Sequence, residues 1–294
     1  MRIRHTLIAS AVALALLPAS GAFAADDSAL VYAGSVDGYV GYRWISSDDS
    51  DEVEDDHTPT YGAGAVVSVP LGQALSVQFD ALGEANVLDN DSDDDPSSMV
   101  SVGAHLSYRN ASTMLVGAFA GYGIGTVTDN DGHSKAAYLG LEGQYYFDPA
   151  TLYGQVGYVK GPGDDDESEG FDDGGWFGRV VGRYFISDDI MLEGDVAYAD
   201  TDQYVDGDDA GEIWAWGLKY KQRLGKSPVY GVIAYRGANY DSTTEGDVAT
   251  EQVLMLGVSF AFGADSLKHN DRSGATLDLP HFLHRANMYS QTLD

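Results

Sequence analysis

The residues of this chain that could do chemistry are ionisable groups set two or four positions apart. Asp80 and Glu84, Arg179 and Arg183, Glu193 and Asp195, and Lys219 and Lys221 all follow this rule. In a β-strand that spacing puts both groups of a pair on one face. Arg43, His105, Glu142 and Arg236 lie in stretches with the same alternation. Together these twelve residues are the expected polar lining of an interior that selects solutes by charge. Asp89, Asp91 and Asp93 have the alternate carboxylates of a Ca²⁺ loop, but Asp94 stands at the sixth position, where that loop needs Gly, and Val100 at the twelfth, where it needs Glu. They are weak Ca²⁺ candidates, and weakly held Ca²⁺ is the most cofactor chemistry the sequence offers. His281 and His284 lack a third ligand and are read as surface residues. His57 and His133 fall in loops, no nucleophile and base share a catalytic spacing, and the chain is not expected to be an enzyme.

The elements that must position these groups are strands. Twelve alternating segments run near 34–46, 60–69, 74–86, 98–109, 113–126, 135–147, 151–160, 175–186, 190–200, 211–223, 228–240 and 251–262. Most have the ~9–11 residues, or slightly more, that a tilted membrane-spanning strand needs. Their connections alternate between short turns, such as Asp148-Pro149-Ala150 and Ser187-Asp188-Asp189, and longer loops at 46–59, 87–97, 127–133, 161–174, 200–212 and 241–249. Those six loops hold thirty of the 46 acids and no Lys or Arg, so the net charge of −30 belongs to one rim. Strand 114–124 carries no charge, which leaves its facing unassigned.

The faces opposite the charged positions are apolar, as Trp214, Trp216, Leu218 and Tyr220 show beside Lys219 and Lys221. Aromatics on that face gather toward the two strand ends, with Trp44, Tyr61, Trp176 and Trp214 near the long loops and Tyr108, Tyr145, Phe147 and Tyr184 near the short turns. Two such girdles mark a wall that crosses a bilayer. Arg2 and Arg4, the apolar run Leu7–Leu17 and Ala22-Phe23-Ala24 read as a signal peptide over 1–24, cleaved after Ala24. With no cysteine, an exported chain must take its stability from the sheet. The acid excess argues against nucleic-acid binding.

Val253–Phe262 gathers these features in one strand. Leu254, Leu256, Val258, Phe260 and Phe262 alternate with mostly small residues, and the run resembles the C-terminal insertion signal of bacterial outer-membrane β-barrels. The resemblance is to porin-like barrels as a class. It implies an all-β, antiparallel, up-and-down transmembrane barrel of about 12 strands over 25–262, in the outer membrane of a Gram-negative bacterium. It further implies contact with lipid and lipopolysaccharide, delivery by the barrel assembly machinery, and passive diffusion of small polar solutes or ions. A structural or adhesive barrel with a filled lumen is the alternative, and an outer-membrane hydrolase a more distant one. Oligomeric state is not legible.

Two expectations concern what lies inside. Arg179 and Arg183 fall on the eighth strand, Lys219 and Lys221 on the tenth and Arg236 on the eleventh, with Asp80 and Glu84 roughly opposite on the third, so opposed charges would set a field across the bore unless Glu193 and Asp195, on the ninth, neutralise the basic strands. Residues 263–294 follow the last strand and are expected to form a periplasmic tail, a short helix or disordered, that folds against the barrel mouth or binds a periplasmic partner.

Overall fold

A computed structural model describes residues 32–47, 56–86, 98–126, 133–161, 174–201, 211–242 and 248–283. The strands are β1 (Ala33–Ser47), β2 (Asp56–Pro70), β3 (Leu75–Asn86), β4 (Ser98–Asn110), β5 (Met114–Thr126), β6 (His133–Tyr146), β7 (Ala150–Lys160), β8 (Gly175–Ser187), β9 (Ile190–Thr201), β10 (Gly211–Arg223), β11 (Val229–Ser242) and β12 (Val248–Phe262). Each pairs antiparallel with its neighbours in sequence, and β1 pairs with β12 from Gly34↔Phe262 to Ser47↔Ala249, so the barrel is closed. Closure leaves no unpaired edge, which a sheet needs if it is to sit in hydrocarbon. Alternation decides which side chains meet that hydrocarbon. Leu254, Leu256, Val258 and Phe260 point outward and are exposed, as are Trp44, Tyr61, Tyr108, Leu139, Leu141, Tyr145, Trp176 and Trp214. The uncharged β5 turns Leu115 and Phe119 inward and Met114, Val116 and Ile124 outward. This closed cylinder, with an apolar outer wall and charged inner face, has the form of a transmembrane β-barrel.

Twelve strands enclose more space than their own side chains fill, since about eight already suffice for a packed interior. The chain fills part of the remainder itself. At Gly263 the backbone takes a φ of +75°, and a Cβ there would lie 2.0 Å from the Tyr32 carbonyl oxygen, so only glycine fits this return from β12. Helix α1 (Leu267–Ser273) follows, capped by the Ser266 side chain, which accepts from the His269 N–H at 3.0 Å. From there the chain climbs inside the barrel to Leu283. Leu267 packs with Phe185, Met191, Tyr230 and Ala261 near the short turns. Leu277 packs with Leu115, Tyr146, Tyr153 and Val181, and Leu279, Phe282 and Leu283 join Met99, Phe119, Tyr138, Phe177 and Ile213 toward the long loops.

The expected C-terminal helix is present as α1, but the chain beyond it lies inside the barrel rather than at its mouth. Leu277, Leu279, Phe282 and Leu283 are buried. Burying apolar side chains of this size stabilises by roughly 1.5–3 kcal/mol each, which favours insertion over exposure at the mouth. Residues 284–294, with His284, lie outside the described residues, as do the signal peptide and Asp89, Asp91 and Asp93.

Candidate functional site

The inner face of the barrel and the inserted segment form one polar network. On the β8–β10 side, Arg183 donates from Nε to Glu193 at 2.7 Å and from Nη1 to Asp271 at 2.9 Å. The same Nη1 reaches the Thr276 carbonyl at 2.9 Å and its hydroxyl at 2.7 Å. Arg183 and Glu193 are register partners across the Ser187–Asp189 turn, as their spacing predicts. Lys219 adds a second cation to Glu193 at 2.6 Å. Arg179 bridges Asp195 at 3.3 Å and Asp278 at 2.8 Å. Lys221 donates to the Ser259 hydroxyl at 2.9 Å and lies 3.7 Å from Asp37.

On the β3–β7 side the polar residues surround a histidine. His105 Nε2 is 2.5 Å from Asp80 and Nδ1 is 2.8 Å from Glu142, with both His105 and Glu142 side chains fully buried. Each carboxylate is held again, Asp80 by Gln78 at 2.8 Å and Glu142 by the Tyr153 hydroxyl at 2.7 Å. Such bonding fixes the orientation of the ring between two carboxylates. Arg43 is buried on β1, 3.5 Å from the Thr58 hydroxyl.

The opposed charges of β3 and β11 do not act across open space. Arg236 reaches Glu84 with both terminal nitrogens, at 2.8 and 2.5 Å, and the Tyr39 hydroxyl donates to the same carboxylate. The pair forms a strut through the bore between strands that are not neighbours. The expected transverse field is therefore replaced by pairwise neutralisation, which also holds at Glu193 and Asp195.

A space of about 390 Å³ remains beside the inserted segment. It extends from Leu267 and Asn270 near the short turns to His281 and Phe282, with Asp37, Lys219, Lys221 and Arg236 among its lining. That volume falls within the range of small-molecule sites.

Sequence reasoning placed the wall charges on the inner face but missed what they hold. Asp271, Thr276 and Asp278 complete the arginine sites, and Tyr39, Tyr153 and Glu251 join the wall network. The only sequence signal for insertion was the apolar set Leu277, Leu279, Phe282 and Leu283, which has no strand or helix period.

No protein-family model matches the sequence, and no curated protein matches it. Among solved structures, the chain is similar to the translocator domain of the autotransporter NalP from Neisseria meningitidis, at 13% identity and a TM-score of 0.46, covering 80% of this chain and 89% of that one. It is also similar to an outer membrane channel from Pseudomonas putida F1, at 12% identity and a TM-score of 0.49, covering 78% and 96%. A FadL homologue from Pseudomonas aeruginosa aligns at 10% identity and a TM-score of 0.44, covering 78% and 90%. Likenesses of this degree leave function to be read from the barrel's own residues.

Proposed function

We propose that the protein is a channel of the Gram-negative outer membrane for passive diffusion of small polar solutes or ions, with the path running beside the inserted C-terminal segment. The observation that carries this reading is the 390 Å³ charge-lined space left between that segment and the wall. In this reading the short turns face the periplasm, the signal peptide is cleaved after Ala24, and the long loops form an outer vestibule. Their thirty acids concentrate cations over about a Debye length, ~8 Å at physiological salt. The weak Ca²⁺ candidates Asp89, Asp91 and Asp93 belong to this rim, where divalent ions would bridge the loops to lipopolysaccharide.

Planar-bilayer recording of the refolded protein tests the proposal. Single-channel steps with cation preference at low salt, fading as salt rises, are expected. A second reading, a filled structural barrel, is favoured by the Glu84–Arg236 strut and by the depth of the inserted segment. An insulating barrel would establish that reading in place of the channel, and anion preference at low salt would refute the vestibule.

A further inference from the structure

The contacts that hold residues 274–278 differ from ordinary core packing, because wall side chains address the segment's main chain. Arg109 donates to the Gly274 carbonyl at 2.8 Å. Gln144 donates to the Thr276 carbonyl at 3.4 Å. Gln78 pairs with Leu277 through both its amide atoms, donating to the carbonyl at 2.6 Å and accepting from the N–H at 3.2 Å, as a neighbouring strand would. Gln155 donates to the Asp278 carbonyl at 2.8 Å. Recognition of this kind reads an extended backbone whatever its side chains.

Two arginines add the sequence requirement. Arg183 holds Asp271 and Arg179 holds Asp278, a carboxylate pair seven residues apart in the chain. Without the segment, Arg179, Arg183 and Lys219 share only the carboxylates of Glu193 and Asp195 among the described residues, so the emptied wall keeps an unmet preference for carboxylates. Leu277, between them, packs in a buried cluster with Leu115, Tyr146, Tyr153 and Val181. The strands that carry these groups pair with one another around the barrel, and the segment follows β12 through Gly263.

We propose that the inner wall of β3–β9 is a receptor site for an acidic polypeptide segment, helical through its first carboxylate and irregular before the second, inserted from the short-turn mouth, and that the chain's own Asp271–Asp278 stretch is an exchangeable occupant. The ligand class is a peptide with two carboxylates spaced as here and a leucine just before the second. The site stands whether or not the residual space conducts.

The test uses the full chain, folded and then nicked at a protease site inserted between Ala264 and Asp265. A fluorescent synthetic peptide of residues 265–283 is added in excess, and binding is read by anisotropy, independently of conductance. Saturable binding to the nicked barrel, with release of the native segment and none to the intact chain, is the expected result. A peptide carrying Asp271→Asn and Asp278→Asn should bind at least roughly ten-fold more weakly, about 1.4 kcal/mol. Failure of the native segment to exchange, or equal binding of both peptides, would overturn the proposal. Because the second comparison alters only the peptide, it does not depend on a barrel variant that folds.

Discussion

Replacing Arg183 with Met removes the cation at the centre of the inserted segment's polar anchor, and the structure says which partner suffers. Glu193 and Asp271 are each 4% exposed at the side chain. Glu193 keeps Lys219 at 2.6 Å. Asp271 keeps the hydroxyls of Thr151 and Thr276, at 2.5 and 3.0 Å, but its remaining cation, Arg272, approaches only to 3.4 Å. Thr276 loses its charged donor as well. The cost therefore falls on docking of the segment rather than on the barrel. Removing one partner of a buried ion pair costs about 3–5 kcal/mol, which raises the undocked population by a factor between roughly 10² and several times 10³. Hydrogen exchange in lipid or detergent reads it directly: amides of 267–283 should lose protection by that factor while those of β7 to β10 hold theirs. Adding Asp271→Leu should restore much of the protection, because an apolar pair replaces a buried ion pair at little cost. Unchanged protection in the single variant, or no recovery in the double one, would refute this account of the anchor.

Three further outcomes are expected. A Cβ on Gly103 would lie 2.6 Å from Leu279 Cδ2 and 2.9 Å from the Ala120 carbonyl, so Gly103→Val should displace the upper part of the segment at a cost of about 1–3 kcal/mol, read as protease sensitivity after residue 279. Arg236→Met removes the strut to Glu84, whose side chain is fully buried, and should alter single-channel conductance if the path runs beside the segment; an unchanged conductance would place the path elsewhere. At the mouth, the hydrogen bond from Lys268 and then its charge hold the exposed Asp148 carboxyl below its ordinary value of 3.8, so this contact stabilises α1 above that value and is lost as pH falls through the lowered one. Exchange of α1 amides, corrected for intrinsic rates, should rise as pH falls below that ordinary value in the parent and less so in Asp148→Asn.

The barrel was legible because its physics is local. Alternation along each strand fixes the wall faces, and turn length fixes which strands meet, so Arg183 opposite Glu193 could be read across the Ser187–Asp189 turn. Strand ends were less so: β2 begins at Asp56 and β12 at Val248, a few residues into what read as loop, because pairing with neighbours extends polar chain that alternation alone does not mark. The contents of the bore were not legible. Glu84 meets Arg236 across 152 residues and Gln78 meets Leu277 across 199, contacts that depend on barrel circumference rather than on neighbouring sequence. Beyond α1 the inserted segment is irregular, so it lacks the periodicity that betrays a strand or helix. Many of its contacts with the wall run through backbone carbonyls, which every residue has.

The central claim is that residues 267–283 occupy the bore of the barrel in the membrane. The chain has no cysteine of its own, so the pair Gly103→Cys and Leu279→Cys can be joined by a short bifunctional thiol reagent in intact outer membranes. Since the Leu279 side chain lies against Gly103 on the inner wall, the account predicts an efficient intramolecular cross-link, with none when Leu279→Cys is combined instead with Leu106→Cys on the outward face. No cross-link between positions 279 and 103, with both thiols modified rapidly by a membrane-impermeant reagent, would mean that the segment lies outside the barrel.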